Sequence, residues 1–327
     1  LALVALAGVA LAPASTFASR YVGVQPIRPA ALLSSGGVLY VADTTRNQIL
    51  ARLNNGRFVV IAGRGVRGFS GDGGKATSAR LDDPQGMVMS AEGTLYFSDS
   101  GNNRVRAVTR DGDISTVAGN GGFGWSPNGV IATRSPLGDP TALALSSDGS
   151  LLIAATGANE IVRLTKAGRF LEVAGSRTEG GLTGVGHPAA AASVDGPNGL
   201  AYTRLGLYVS GSDTKTLLLI DRNGRLRAPA GKDGFYPGGA SPFAQVRGNL
   251  YAMNDQRIEI IRPSGLRTVL TFSGRRIGGV TAFQPNGIAV SANGSLYLDS
   301  YAGNGVVNRS AILSVDSHLR IHLLWAA

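Results

Sequence analysis

The residues best placed for chemistry gather in one short stretch, GFSGDGGKAT at residues 68–77, where four glycines surround Asp72. Glycine runs can cradle phosphate, and a Walker-type loop reads G-x-x-x-x-G-K-[ST] between a strand and a helix. Here Ala76 stands where the Ser or Thr should be, and no helical pattern follows. A calcium loop needs alternating carboxylates that close on a glutamate, and only Asp72 is offered. A second set of candidates is Asp43, Asp99 and Asp299, which recur at the ends of related segments, with Asn254 or Asp255 and a displaced Asp213 in two others. Such a series could ring a divalent metal, or each carboxylate could cap the backbone of its own turn. Recurrence favours the cap, because a catalytic site breaks a repeat whereas a fold determinant keeps it. His187 falls in one segment and His318 and His322 together in another, far away, while a zinc site wants several converging imidazoles. The chain has neither a G-x-S-x-G elbow nor an H-E-x-x-H helix.

The elements that must carry these residues are strands. Of 327 residues, 47 are glycine and only 16% are charged, a poor composition for helices, in which glycine costs about 1 kcal/mol against alanine. With 43% hydrophobic residues the chain can bury a large core, and without cysteine it has no disulfide or thiolate site. Self-similarity then decides the architecture. VVIAG ends at Gly63, STVAG at Gly119, LEVAG at Gly175 and RAPAG at Gly231, each 56 residues after the last, and TFSG follows at Gly274. Each unit holds four apolar-alternating runs separated by turn signals, as in GMVM, SAEG, TLYFS, DSGNN, RVRAV, TRDGD and ISTVA. Four antiparallel strands joined by hairpins, repeated radially, make β-propeller blades. The expectation is an all-β, six-bladed propeller of four-stranded antiparallel blades near 28–63, 83–119, 139–175, 196–231, 241–274 and 284–327.

These residues also carry a family resemblance. The pattern P-x-G, then G-x-L-Y-[VF]-[AS]-D-S-G-N-N-R, then TVAG and GFSGDGG resembles the NHL repeat, in the form found in bacterial secreted proteins and in the teneurin NHL propeller. It is strongest from Val38 to Val117 and weaker in the fourth and fifth units, where GSDTKT replaces DSGNNR. The resemblance implies a propeller and leaves activity open. Six-bladed relatives include binding modules, lactonases, strictosidine-synthase-like proteins, a zinc-dependent amidating lyase and the streptogramin lyase, and some NHL propellers bind single-stranded RNA. A lactonase-like site would want a glutamate on an inner strand, whereas Glu92 falls in a turn and Glu160 opens a third strand. The favoured reading is a binding or scaffold module for a protein or carbohydrate. A metal-bearing lactonase or lyase is the alternative, with a divalent metal as the one cofactor left open.

The opening residues LALVALAGVALAPASTFAS, twelve apolar residues and then Pro13 and small residues, match the apolar and cleavage regions of an export signal over 1–19, with 20–27 as a lead-in or edge strand. A secreted or envelope-bound chain follows from that reading, and it counts against a nucleic-acid partner. The net charge of +10, with 27 Arg against 4 Lys, fits an anionic partner such as an acidic envelope polymer, or the bias of a GC-rich genome toward Arg over Lys.

Two surfaces are candidates. Linkers 64–82, 120–138 and 176–195 should share a face with the turns between second and third strands, and loops on a rigid scaffold carry function. That face offers Arg46, Asn47, Arg64, Arg67, Asn102, Asn103, Arg104, His187, Phe235 and Tyr236 as exposed ligand contacts. Trp125 is a further candidate there, although it and Phe69, one repeat apart, are expected first to pin their own linkers. The turns between third and fourth strands contribute a basic rim of Arg57, Arg110, Lys166, Arg169, Arg222, Arg225, Arg267 and Arg320, either a polyanion surface or solvated turn positions.

Overall fold

The computed structural model describes residues 28–175, 183–211, 217–228, 243–246, 249–254, 257–262, 265–271, 283–291, 295–303, 308–316 and 321–326. The export-signal segment, the lead-in, Asp213, Phe235, Tyr236, Asp255, His318 and Arg320 lie outside the described residues.

The described strands form six separate four-stranded antiparallel sheets in simple meander order, the propeller expected from the repeat. Blade 1 is β1 (Pro29–Ser35), β2 (Val38–Asp43), β3 (Gln48–Arg52) and β4 (Phe58–Ala62); blade 2 is β5 (Pro84–Met89), β6 (Leu95–Asp99), β7 (Arg104–Val108) and β8 (Ile114–Ala118). Blade 3 is β9 (Pro140–Leu145), β10 (Leu151–Ala155), β11 (Glu160–Leu164) and β12 (Phe170–Gly175); blade 4 is β13 (Pro197–Thr203), β14 (Gly206–Gly211), β15 (Leu217–Asp221) and the short β16 (Leu226–Arg227). Blade 5 is β17 (Phe243–Val246), β18 (Asn249–Asn254), β19 (Arg257–Arg262) and β20 (Gly265–Thr271); blade 6 is β21 (Phe283–Val290), β22 (Leu296–Gly303), β23 (Asn308–Val315) and β24 (Ile321–Ala326).

Alternation holds only partly, for a packing reason. The second strand of a blade is covered by neighbouring blades on both sides, so β10 and β14 are buried at every residue, while the outer strand β8 buries only its first and last. The repeat's P-x-G element also has a structural cause. The first strand bulges just after its proline in blades 1, 2, 4 and 6. At Gly86 the chain comes so close to blade 3 that a Cβ would sit 2.1 Å from the Thr141 carbonyl oxygen. The ring closes where β1 packs on β21, with Leu32, Val41 and Leu50 of blade 1 sharing one core with Ala289 and Ile312 of blade 6.

Neighbouring blades are stitched by polar side chains that the repeat places at equal spacing. Asn47, Asn103 and Asn159 each take the left-handed conformation in the turn between second and third strands. Their side-chain oxygens accept the backbone N–H of Asp83 (2.9 Å), Asp139 (3.0 Å) and Gly196 (2.8 Å), the residues that open the next blade. Ser100 and Thr156 add hydroxyl donations to the Pro140 and Pro197 carbonyls of the next blade. Replacing Asn103 with Ala leaves the Asp139 N–H without its partner and strains a left-handed residue, so it should cost about 2 kcal/mol, whereas Gly should cost about 1 kcal/mol less. Urea unfolding of the two variants side by side measures that difference.

Candidate linker surface and central cavity

The linkers are straps rather than caps on one face. A sheet twists by roughly 20–25° per strand pair, so three steps turn the outer strand roughly 60–75° from the inner one and lay it around the rim. Strand four of one blade therefore begins beside the linker arriving from the previous blade. In the first linker Gly73 donates to the Ile114 carbonyl (2.8 Å), Ile114 donates to Gly74 (2.9 Å) and Ala76 donates to Gly112 (2.8 Å). The second and third linkers repeat this, with Ala132 donating to Gly168 (2.9 Å) and Ala189 to Gly224 (2.8 Å). Each strap covers an outer sheet edge that would otherwise offer unpaired backbone groups.

This geometry revises the two-surface expectation, since linkers and third-to-fourth-strand turns meet at the rim. Arg169 donates to the Gly129 carbonyl (2.8 Å) and Arg225 to Gly186 (2.9 Å), so both fasten straps. In blade 2 the same position is Asp113, paired with Lys75 of the strap at 2.7 Å. Arg110 is half-buried, its Nε beside Gly93, whereas Arg57, Lys166, Arg222 and Arg267 are exposed. His187 is exposed in the third strap, where its carbonyl accepts from Leu226 at the edge of blade 4 (3.0 Å). His322, in β24, faces Asp316 at 3.2 Å.

The glycine loop is fastened by a buried charge. Arg106 of β7 is fully buried and pairs with Asp99 of β6 at 3.1 Å, which is also fully buried. Its other nitrogen bonds Asp72 at 2.8 Å and the Ser70 carbonyl at 3.1 Å. Thr116 donates to the second oxygen of Asp72 at 2.8 Å. Above this cluster the Phe69 ring lies 3.8 Å from the Arg104 guanidinium and 4.8 Å from that of Arg106, cation–π contacts that hold the ring while leaving it 42% exposed. The expectation that Phe69 pins its linker is met by this stacking. Trp125, one repeat on, is half-buried against Gly175, its ring 3.0 Å from where a Cβ would stand.

The recurring aspartates sit in tight shells. Asp43 accepts from the backbone of Arg28 (3.3 Å) and Arg46 (3.2 Å), and the Arg46 guanidinium lies 3.6 Å away. Burial pushes its carboxyl above the ordinary value and those N–H donors pull it back. Asp99 accepts from the Asp82 N–H (2.7 Å), the Asn102 amide (2.9 Å) and Arg106. Burial outweighs these donors and pushes its carboxyl up to about 6. Asp299 is buried in β22, with one oxygen 2.9 Å from where a Cβ on Gly287 would stand. Among the described residues no three His, Asp or Glu side chains converge as a metal cluster. Glu160 is fully buried, and its Oε1 accepts from the Ser126 N–H at 2.9 Å.

Several expected ligand contacts thus hold the fold. Asn47 and Asn103 latch blades, and Asn102 also donates to the Gly68 carbonyl (2.9 Å). Arg104 donates to Asn102 (2.8 Å) and Asn120 (2.6 Å), and burial with the nearby Arg106 charge lowers its pKa. Arg67 pairs with Asp82 at 2.9 Å yet stays 78% exposed, and Arg64 is exposed. Four apolar residues missed in the sequence stand out on the straps: Val66 at 44%, Phe123 at 65%, Ile131 at 40% and Val185 at 46% exposure. Arg106 was also missed. Its signal is an arginine at the repeat position where blades 1 and 3 carry Leu50 and Val162.

On the axis the first strands of all six blades enclose a cavity of about 310 Å³, walled by residues such as Leu33, Met89, Leu145, Tyr202, Gln245 and Val290. Its described walls carry no ionised side chain, so they suit uncharged groups.

Residues 30–126 match the Teneurin NHL domain family. Teneurin-m of Drosophila melanogaster is 30% identical over 230 residues, covering 62% of this chain and 8% of that protein. Human Teneurin-1 is 35% identical over 92 residues, covering 24% of this chain and 3% of that protein. The chain thus spans under a tenth of the length of these relatives. Among solved structures, a streptogramin B lyase superposes with a TM-score of 0.57 at 14% identity, over 93% of this chain and 84% of that one. A gluconolactonase from Xanthomonas campestris gives 0.54 at 16% identity, over 85% and 84%. At such identities these two structures share the fold, whereas the teneurin match rests on sequence. Together with the 56-residue unit, it makes the chain similar to the NHL-repeat β-propellers, with the family match lying in residues 30–126.

Proposed function

We propose that this propeller is a binding or scaffold module that works outside the cell and engages a protein ligand through its strapped linker surface. The observation that carries the reading is the combination of fixed backbone and open apolar side chains on the first two straps. Phe69 is stacked and Phe123 stands against Gly157 of blade 3, yet both present large apolar area to solvent. Exposed aromatic groups on rigid backbone lose little freedom on binding and make good interface anchors. The similarity to teneurin NHL domains supports a protein ligand. The export-signal-like residues 1–19 support a place outside the cell, and no helix of the described residues is long and apolar enough to cross a membrane. The deep carboxylates favour this reading over catalysis, because Asp43, Asp99 and Glu160 each accept hydrogen bonds from donors of the fold itself.

The test is a binding panel of extracellular protein domains, glycans and polyanions at about 150 mM salt, where charges more than about 8 Å apart are screened. A protein ligand should be captured, and Phe123→Ser should weaken it at least about tenfold, the loss typical of an interface anchor. Capture of polyanions alone, lost on adding salt, would contradict the proposal.

A further inference from the structure

The first strap differs from the others in its charge. Its two limbs run side by side: Arg64 donates to the Ala79 carbonyl (2.8 Å), Gly68 donates to Leu81 (3.1 Å), and Arg67 bridges to Leu81 in parallel. This pairing brings Arg64, Val66 and Arg67 of the outgoing limb beside Arg80 of the returning one. The Arg80 stem passes 3.5 Å from where a Cβ on Gly68 would stand, next to Phe69. The acidic side chains of the strap are already used, Asp72 by Arg106 and Thr116 and Asp82 by Arg67. Lys75 is balanced by Asp113. Among the described residues no carboxylate pairs with the exposed Arg64 or Arg80. The result is a small positive field bordering two open apolar residues, Val66 and Phe69. The second strap has Asn120 and Pro136 where the first has Arg64 and Arg80, so it cannot offer the same field.

We infer that the paired limbs of the first strap dock an acidic peptide segment that carries an apolar side chain. Arg64 and Arg80 would bind its carboxylates, with fork geometry that favours paired oxygens, and its apolar side chain would cover Val66 and the open face of the Phe69 ring. A simple polyanion would satisfy the arginines and leave Val66 and Phe69 in water, which is why a peptide fits better. The inference rests on the module reading above and narrows it to one strap and one partner chemistry.

The test uses the full chain and three fluorescent probes in anisotropy titrations at about 150 mM salt. The first is a synthetic peptide of Glu and Asp with one central Leu and one Trp, the second replaces both apolar residues with Ser, and the third is a heparin oligosaccharide. The first peptide should bind best. Arg64→Glu with Arg80→Glu should weaken it at least about tenfold, and Val66→Ser several-fold, as expected for charge reversal and loss of an apolar contact. Thermal melts should stay unchanged, because these side chains hold no strap bond. Equal binding of all three probes, or indifference to the charge-reversed variant, would overturn the inference. If the panel ligand still loses affinity on Phe123→Ser while the charge-reversed variant binds the first peptide normally, the module reading stands and only the acidic-peptide site fails.

Discussion

Replacing Arg106 with Leu should destabilise the protein by about 3–5 kcal/mol at pH 7.5, the usual cost of removing one partner of a buried pair. The loss should shrink as the pH falls. The Asp99 carboxyl is held near 6, above its ordinary 3.8, because burial penalises its charge. A carboxyl raised in the folded state favours folding fully below about 3.8 and loses that contribution as the pH rises through about 6. Without Arg106 the carboxyl rises further, so the variant must keep Asp99 protonated at a growing cost above pH 6. At pH 5, where Asp99 is already mostly neutral, much of that cost is absent. A second readout follows the strap. Arg106 holds Asp72 and the Ser70 carbonyl and underlies Phe69, so the variant should be nicked within residues 64–82 by a protease that spares the parent. Urea unfolding at pH 5 and 7.5 checks the first expectation. A cost under about 1 kcal/mol with no pH slope would mean that the pair does not anchor the strap.

Gly119→Ala should be comparably damaging. Gly119 follows β8 with φ +83°, and an added Cβ would lie 2.1 Å from the Asn103 carbonyl oxygen, a backbone atom that cannot step aside. The left-handed conformation costs a residue with a Cβ about 1–2 kcal/mol, and the overpacking adds about 1–3 kcal/mol. Gly73→Ala is the matched control. Its φ is +82°, but an added Cβ meets nothing within 4 Å, so it should cost only about 1–2 kcal/mol for conformation. Equal melting temperatures for the two variants would show that the close approach at the blade end is not tight. The same approach recurs at Gly63, 2.2 Å from the Asn47 carbonyl oxygen, which is why the unit closes on Ala-Gly at both positions.

These two residues mark the limit of what the sequence reveals. Gly119 was legible because it recurs every 56 residues, and with it came the blade number, the strand order and the turns. Arg106 was not, because it occurs once and an isolated strand arginine reads as solvated. Its burial follows from Asp99 on the neighbouring strand and from the strap that Asp72, far away in sequence, brings over it. Asn47 and Asn103 were visible as recurring turn residues, but their spacing to Asp83 and Asp139 reveals a latch only once the next blade is known to lie alongside. The separation of linkers and basic turns onto opposite faces follows from a flat view of a blade. Twist brings Arg169 and Arg225 onto the straps instead. Exposure of Val66 and Phe123 also depends on how the straps lie, so their part in the surface became visible only in three dimensions.

The most direct test of the binding-module account is a hydrogen-exchange footprint of the chain with and without the protein ligand captured at physiological salt. The account predicts slowed exchange in residues 64–82 and 120–138, with the hairpins at 90–94 and 146–150, at the far ends of the first strands, unchanged. Protection confined to those hairpins or to the strands around the axial cavity, or failure of any protein in the panel to bind, would contradict it.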